Sequence, residues 1–295
     1  MDQFLNQLIN GLQMGTIYAL IALGYTMVYG IIGLINFAHG DLIMVGSYVA
    51  FFLVFSFNIP SFSLALLLAM LVCSVFGVLM FRIAYRPLLH RPRLEALITA
   101  MGVSLLLENG ARTLPFIGPN YRRFPDIIPL EKYYLLPDVM INNIQIINIV
   151  VALVLMVILQ YIIKYTMVGM AMRATALDRD AARMMGINID FVIGVTFAIG
   201  GALAGAAGVL VAVSYPLINP YMGILPGLKA FVAAVFGGIG SIPGAVVGGL
   251  IMGVLETFAT AAYSQMAEGF FFLVLIAVLL FRPAGLVGKK LLEKV

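Results

Sequence analysis

Few side chains in this sequence could do chemistry, and their spacing excludes most kinds. A nucleotide site of the phosphate-loop type needs GxxxxGK[ST], because backbone amides cradle the phosphates while the Lys and the hydroxyl complete the site. No such run is present, and the nearest approach, Gly288-Lys289-Lys290, lacks both the Ser/Thr and a preceding strand. It reads as a basic, membrane-anchoring tail. The only histidines are His39 and His90, with no Cys, Asp or Glu at ligand spacing, so no metal centre is expected. Cys73 is the single cysteine and lies inside an apolar run, where it reads as a small buried hydrophobe. Neither an HExxH motif nor a nucleophile paired with a base occurs in the apolar segments. The expectation is therefore a protein that is not an enzyme and carries no cofactor.

Two short segments combine polar side chains with helix breakers. Asn36-Phe37-Ala38-His39-Gly40-Asp41 and Asn219-Pro220-Tyr221-Met222-Gly223 both sit between long apolar runs. Irregular backbone at membrane depth is tolerated only where it is buried in protein or lines a wet cavity. Ionisable groups there are costly unless paired or hydrated, which makes His39, Asp41 and Lys229 candidates for function. The two segments also match each other: LINFAHGDL, Leu34 to Leu42, recurs as LINPYMGIL, Leu217 to Leu225, displaced by 183 residues. Interrupted segments at equivalent places in inverted halves point to a translocation pathway. The expected pathway residues are Asn36, His39, Gly40, Asp41, Asn219, Pro220, Tyr221, Gly223 and Lys229, with Gly40 and Gly223 small so that the chain can turn there and leave an opening.

The elements that must carry these residues are membrane helices. Of the 295 residues, 63% are hydrophobic and 10% charged, against about 45–50% and about 25% in soluble domains. Runs at 8–29, 42–57, 62–81, 144–163 and 191–213 are free of charge and near the roughly 20 residues that span a bilayer. Weaker candidates follow at 94–111, 217–237, 242–263 and 269–281, giving about nine crossings. The continuous apolar runs do not alternate as barrel strands would. The fold class is all-α, a polytopic transmembrane bundle of about eight or nine crossings in one domain, 1–295, with repeat halves near 8–111 and 187–285.

Basic residues cluster at 82–93, at 164–183 and at the C-terminus, and the positive-inside rule makes all three cytoplasmic. That parity puts the N-terminus and the proline-rich stretch 112–143 outside. Arg112, Arg122, Arg123 and Lys132 in that stretch count against it, and Asp126, Glu131 and Asp138 offset them. Because the basic residues are spread over short loops instead of one stripe, the net charge of +4 reflects orientation and not nucleic-acid binding. Small residues recur every four positions at Gly200, Ala204, Gly208 and Ala212, and at Gly237, Ser241, Ala245, Gly249 and Gly253, which lets helices approach closely.

The polar stretch 173–186 predicts a short cytoplasmic helix, capped by Asp178 or a neighbour and ended by Gly186 in the left-handed conformation. Arg179 and Arg183 share a face. On composition alone it could equally lie on anionic headgroups. Asp180-Ala181-Ala182 followed by Gly186 resembles, with Asp for Glu, the EAA coupling motif of bacterial ABC importer permeases. Almost the whole chain shares in a closer resemblance: YALIALGYTMVYGIIGLINFAHGD at 18–41, RATALDRDAARMMGIN at 173–188 and INPYMGILPGLKAFVAAVFGGIGSIPGAVVGGLI at 218–251 look like LivH-type permeases of the high-affinity branched-chain amino acid system. That resemblance implies a type II importer fold in the bacterial inner membrane. It also implies a related second permease subunit, two cytoplasmic ATPase subunits and an extracytoplasmic solute-binding protein. Asp178, Arg179, Asp180, Ala181, Ala182, Arg183 and Gly186 would then contact the ATPase, with Ala181 and Ala182 as the small docking face. Similar permeases carry urea or short amides, and Glu95, Glu108 and Glu256 keep an ion-coupled transporter open as a further alternative.

Overall fold

The computed structural model describes residues 2–288 except 90, 138 and 283. His90, Asp138 and the basic tail Lys289, Lys290 and Lys294 lie outside the described residues.

Long apolar runs whose backbone polar groups must be satisfied within the segment form helices. Helix α1 (Asp2–Ile32) leads into a one-turn 3-10 segment at Phe37–His39, followed by α2 (Asp41–Phe55), α3 (Phe62–Met80) and α4 (Arg93–Thr113). After the short strands β1 (Arg122–Arg123), β2 (Lys132–Leu136) and β3 (Val139–Asn142) come α5 (Asn143–Tyr165), α6 (Met167–Leu177) and α7 (Arg179–Met184). Helix α8 (Ile189–Ser214), strand β4 (Leu217–Ile218), α9 (Ile224–Gly237), α10 (Ile242–Ala262) and α11 (Ala267–Phe281) complete the order. Seven helical stretches are long and apolar enough to cross a membrane, and α9 and α11 are shorter apolar helices. The chain is a multi-pass helical bundle.

Helix α1 extends past its charge-free run at both ends, and polar residues within the run find partners on other helices. Gln145 Nε2 donates to Asn10 Oδ1 at 2.6 Å, and Gln13 Nε2 donates to Ser214 Oγ at 3.0 Å. Hydrogen bonds between polar side chains are a regular adhesive between membrane helices. Helices α1 and α10 run antiparallel with their backbones nearly touching: Gly11 lies against Val254, Gly15 against Leu250 and Gly253, and Ala19 against Gly249. Gly201 and Gly205 bring α8 equally close to Cys73 and Ala69 of α3. The second small-residue stripe does not belong to one helix. Gly237 ends α9 and Ser241 caps α10, because Gly238 (φ 110°) and Gly240 (φ 92°) turn the chain between them through backbone conformations that side chains resist.

Helices α2 and α9 hold 15 and 14 residues, or about 22 Å and about 21 Å at 1.5 Å per residue, too short for a hydrocarbon core of about 30 Å. Each is completed by the irregular segment before it. The side chain of His39 reaches Gly24, eight residues before the end of α1 and therefore about 12 Å inside the bundle. Asp41 and Ile224, which begin the two short helices, are separated by 183 residues, the displacement of the matching sequences.

The basic segments meet at one end of the bundle. Arg86, beyond α3, forms a 2.7 Å ion pair with Asp190 at the start of α8, and Arg179 donates to Ile31 O at the end of α1. At the opposite end, β1 pairs antiparallel with β4, Arg122 opposite Ile218, and the β2–β3 hairpin lies by the N-terminus through Met140 N donating to Asn6 Oδ1.

Candidate functional site

The two interrupted segments meet in the middle of the bundle. Gly40 and Gly223 are in backbone contact: a Cβ on Gly40 would stand 2.9 Å from Gly223 O and 3.3 Å from Gly227 Cα. Both residues have ordinary negative φ, −59° at Gly40 and −80° at Gly223. The turn therefore does not require glycine at either place, contrary to the expectation from sequence; the close approach of two backbones does. In this state the seam is closed.

Around the seam the polar groups are individually placed. Tyr85 OH donates to Asn36 Oδ1 at 2.7 Å, and both residues are buried. The imidazole of His39 packs edge-on against Tyr25, with ring centres 4.7 Å apart, and its Nε2 is buried without a partner. Asp41 is buried and its Oδ2 has no hydrogen-bond partner; on α4, Ser104 Oγ donates to Glu108 Oε1 at 3.4 Å. Beside the extended stretch, a cavity of about 190 Å³ is lined by Tyr29, Gly33, Leu34, Ile35 and Leu97.

Asn219, Pro220 and Tyr221 run from β4 toward the seam. Asn219 Oδ1 accepts from Tyr221 N at 2.8 Å, a turn that an Asx side chain favours. The ring of Tyr221 lies 5.4 Å from the guanidinium carbon of Arg112. The β1–β4 pair straps this segment to 114–123, and the arginines that opposed the positive-inside rule make contacts at this end of the bundle. Arg122 Nε donates to Ile117 O at 2.9 Å.

Lys229 does not line the seam. Gly227 faces Gly40, and two residues further round a helix the side chain points about 200° away. The ammonium pairs with Glu256 of α10, whose second oxygen accepts from Tyr18 OH at 2.6 Å, and Phe271 lies 5.4 Å below it. Glu256 is thus a structural partner inside the bundle, not a residue at a helix end.

At the basic end, the predicted single helix is two. Thr166 caps α6, and Asp178 caps α7 by accepting from Asp180 N and Ala181 N at 3.0 and 3.1 Å. Gly186, at φ +83°, ends the unit as expected. Arg179 is not free for headgroups: Nε and Nη2 both donate to Ile31 O, at 3.2 and 2.9 Å, placing positive charge on the C-terminus of α1. Partial burial pulls its guanidinium below the usual range, and Asp180 opposes that shift. Ala182 is buried against the bundle, whereas Asp180, Ala181, Arg183, Met184 and Met185 are exposed. The outward face of α7 is therefore Ala181 with Met184 and Met185, not the pair Ala181 and Ala182. Ala182 anchors the helix, and Asn188 caps α8 two residues after Gly186, so α7 is joined directly to a helix that packs on the seam.

Sequence reasoning missed the amide network of Asn10, Gln13, Gln145 and Asn148. Lone polar residues in apolar runs were the available signal.

The family model described as the permease component of the branched-chain amino acid transport system matches residues 7–279. A high-affinity branched-chain amino acid transport system permease protein of Pseudomonas aeruginosa, BraD, is 44% identical over 99% of this chain and 98% of its own. The corresponding LivH protein of Escherichia coli is 42% identical with the same coverage. A probable branched-chain amino acid permease of Methanocaldococcus jannaschii is 31% identical over 91% of this chain and 88% of its own. No solved structure matches.

Proposed function

The chain belongs to the permease family of branched-chain amino acid transport systems, and on that premise we propose that it forms half of the membrane passage of an ATP-binding-cassette importer for leucine, isoleucine and valine. It works in the bacterial cytoplasmic membrane beside a related permease subunit, two ATPase subunits and an extracytoplasmic binding protein. The basic end of the bundle is cytoplasmic, and the β1–β4 strap with the β2–β3 hairpin faces outward. The fold is of the type II importer class, its halves near 8–111 and 187–285 related as inverted repeats.

The observation that carries this reading is the continuity from α7 to the seam. Helix α7 is capped at both ends and presents Ala181, Met184 and Met185 outward. A groove on the ATPase that moves α7 moves α8, and α8 touches the seam elements directly: Gly208 lies against Ile43 O and Gly200 near the ring of His39. Backbones in such close contact shift as rigid bodies, which suits a rocking change of access around the two interrupted segments. Asn36, His39, Gly40 and Asp41 from one side, and Asn219, Pro220, Tyr221 and Gly223 from the other, bound the passage. Lys229 locks α9 to α10 behind it. Substrate choice rests on the binding protein, and no side chain in the passage reads an aliphatic group.

Reconstitution tests the proposal. In proteoliposomes the isolated chain neither transports amino acid nor hydrolyses ATP, and the assembled complex takes up leucine, isoleucine or valine only with ATP and binding protein. Counterflow by the isolated chain would refute the importer reading, and uptake that prefers urea would move the substrate to the amides.

A further inference from the structure

Between α3 and the basic end of the bundle the chain makes a turn of uncommon geometry. After Met80 the helix widens: Arg86 N donates to Phe81 O, five residues back, and Phe81–Tyr85 form one π-helical turn. Pro87 has no N–H with which to continue an α-helical ladder beyond it. Single π turns inside α-helices are rare and recur at functional sites. Three contacts converge on this one. Phe81 and Tyr85 pack on the ring of Phe197 of α8, with ring centres 5.5 and 5.1 Å apart. Tyr85 OH donates to Asn36 Oδ1 at 2.7 Å, and Arg86 Nε and Nη2 lie 2.8 and 2.7 Å from Asp190 Oδ2. Asn36 opens the one-turn segment Phe37–His39, a place where asparagine ordinarily caps the turn with its own side chain. Here the side chain makes no cap bond, and its oxygen is given to Tyr85.

We infer, on the importer reading for what moves α7, that Tyr85 is a positioning residue: with Arg86 it ties Asn36 in the passage to the start of α8. The path runs from Gly186 at the end of α7 through Asn188, the cap of α8, to Asp190 in its first turn. From there it crosses the ion pair to Arg86 and passes through the adjacent Tyr85 to Asn36. It is separate from the backbone contacts of Gly200 and Gly208, which carry α8 as a whole. The two bonds differ in kind. The side chains of Arg86 and Asp190 are 59% and 43% exposed, so their pair adds little to stability and its loss shows in coupling instead. Tyr85 and Asn36 are buried, so removing the donor leaves the Asn36 oxygen unsatisfied and free to turn elsewhere.

Hydrogen exchange of the complete complex in nanodiscs, measured beside leucine imported per ATP hydrolysed, tests the link. Tyr85→Phe keeps the ring against Phe197 and removes only the donor. The amides of His39 and Gly40, which donate to Asn36 O and Phe37 O, then exchange roughly tenfold faster, while those of α3 and α8 are unchanged. Leucine imported per ATP falls with them. In Arg86→Glu the exchange of His39 and Gly40 no longer responds to nucleotide and the ratio falls, whereas Arg86→Lys keeps the pair and both readouts. Unchanged exchange at His39 and Gly40 in Tyr85→Phe would overturn the inference, as would slower uptake at an unaltered ratio. So would loosening spread through α3 and α8 with a lowered melting point, the mark of a packing role alone. A wild-type complex that takes up no leucine would defeat the importer reading instead, and the exchange of Tyr85→Phe would still decide the link to Asn36.

Discussion

Replacing Gly40 by alanine probes the seam with one methyl group. The residue has helical φ and ψ, so the backbone accepts alanine locally, and any penalty comes from the opposite strand of the seam. The added Cβ stands 2.9 Å from Gly223 O and 3.3 Å from Gly227 Cα, against roughly 3.4 Å for an ordinary contact. Every obstructing atom is backbone, so no rotamer change relieves it and the two interrupted segments must part by about half an ångström. Overpacking of this kind costs about 1–3 kcal/mol. Gly227→Ala meets Gly40 Cα at 2.9 Å and should behave alike. Gly102→Ala is the control: no atom lies within 4 Å of its Cβ, and alanine favours the helix by about 1 kcal/mol. Thermal denaturation of the purified permease and leucine uptake by the complex are measured together. The expected order is a lowered midpoint and reduced uptake for Gly40→Ala and Gly227→Ala, with Gly102→Ala unchanged or stabilised. Wild-type midpoint and uptake in Gly40→Ala would refute the closed backbone seam.

Two further outcomes follow from single contacts. Lys229→Met or Glu256→Gln alone leaves a buried charge unpaired and destabilises by about 3–5 kcal/mol, whereas the double variant, lacking the ammonium, recovers most of that loss; a thermal-shift series over the four proteins checks it, and additive losses would show that the pair is not coupled. Gly186→Val forces a β-branched residue to φ +83° at a cost of about 1–2 kcal/mol, while Gly186→Asn is tolerated better; the ratio of ATP hydrolysed to leucine imported should rise for Val and change little for Asn, and equal ratios would remove Gly186 from the coupling unit.

The crossings were legible because apolar length is a direct requirement of the bilayer, and the interrupted segments because polar residues and breakers stand out against that background. The start of α1 was not, since Asp2, Gln3 and Asn6 precede the apolar run, and the partner of Asn6, Met140 N, is brought alongside from 134 residues away. Lys229 was assigned to the passage because a lone cation in an apolar run looks unpaired, and its partner becomes visible only when α10 folds back on α9. Asp180-Ala181-Ala182 gave α7 its place but not its rotation. A helix of six residues has too few turns for periodicity to tell its anchored face from its exposed one. The structure fixes that phase through Ala182 and through Arg179 on Ile31 O.

The central claim is that ATP hydrolysis elsewhere moves this chain through the outward face of α7. Cys73 is buried and is the only cysteine, so single cysteines introduced at Ala181, Ala182 and Met184 can be cross-linked to the ATPase of the assembled complex. Cross-links from Ala181→Cys and Met184→Cys, altered by nucleotide, with none from Ala182→Cys, are the predicted result. Efficient cross-linking from Ala182→Cys alone, or none from any of the three in a complex that transports leucine, would contradict it.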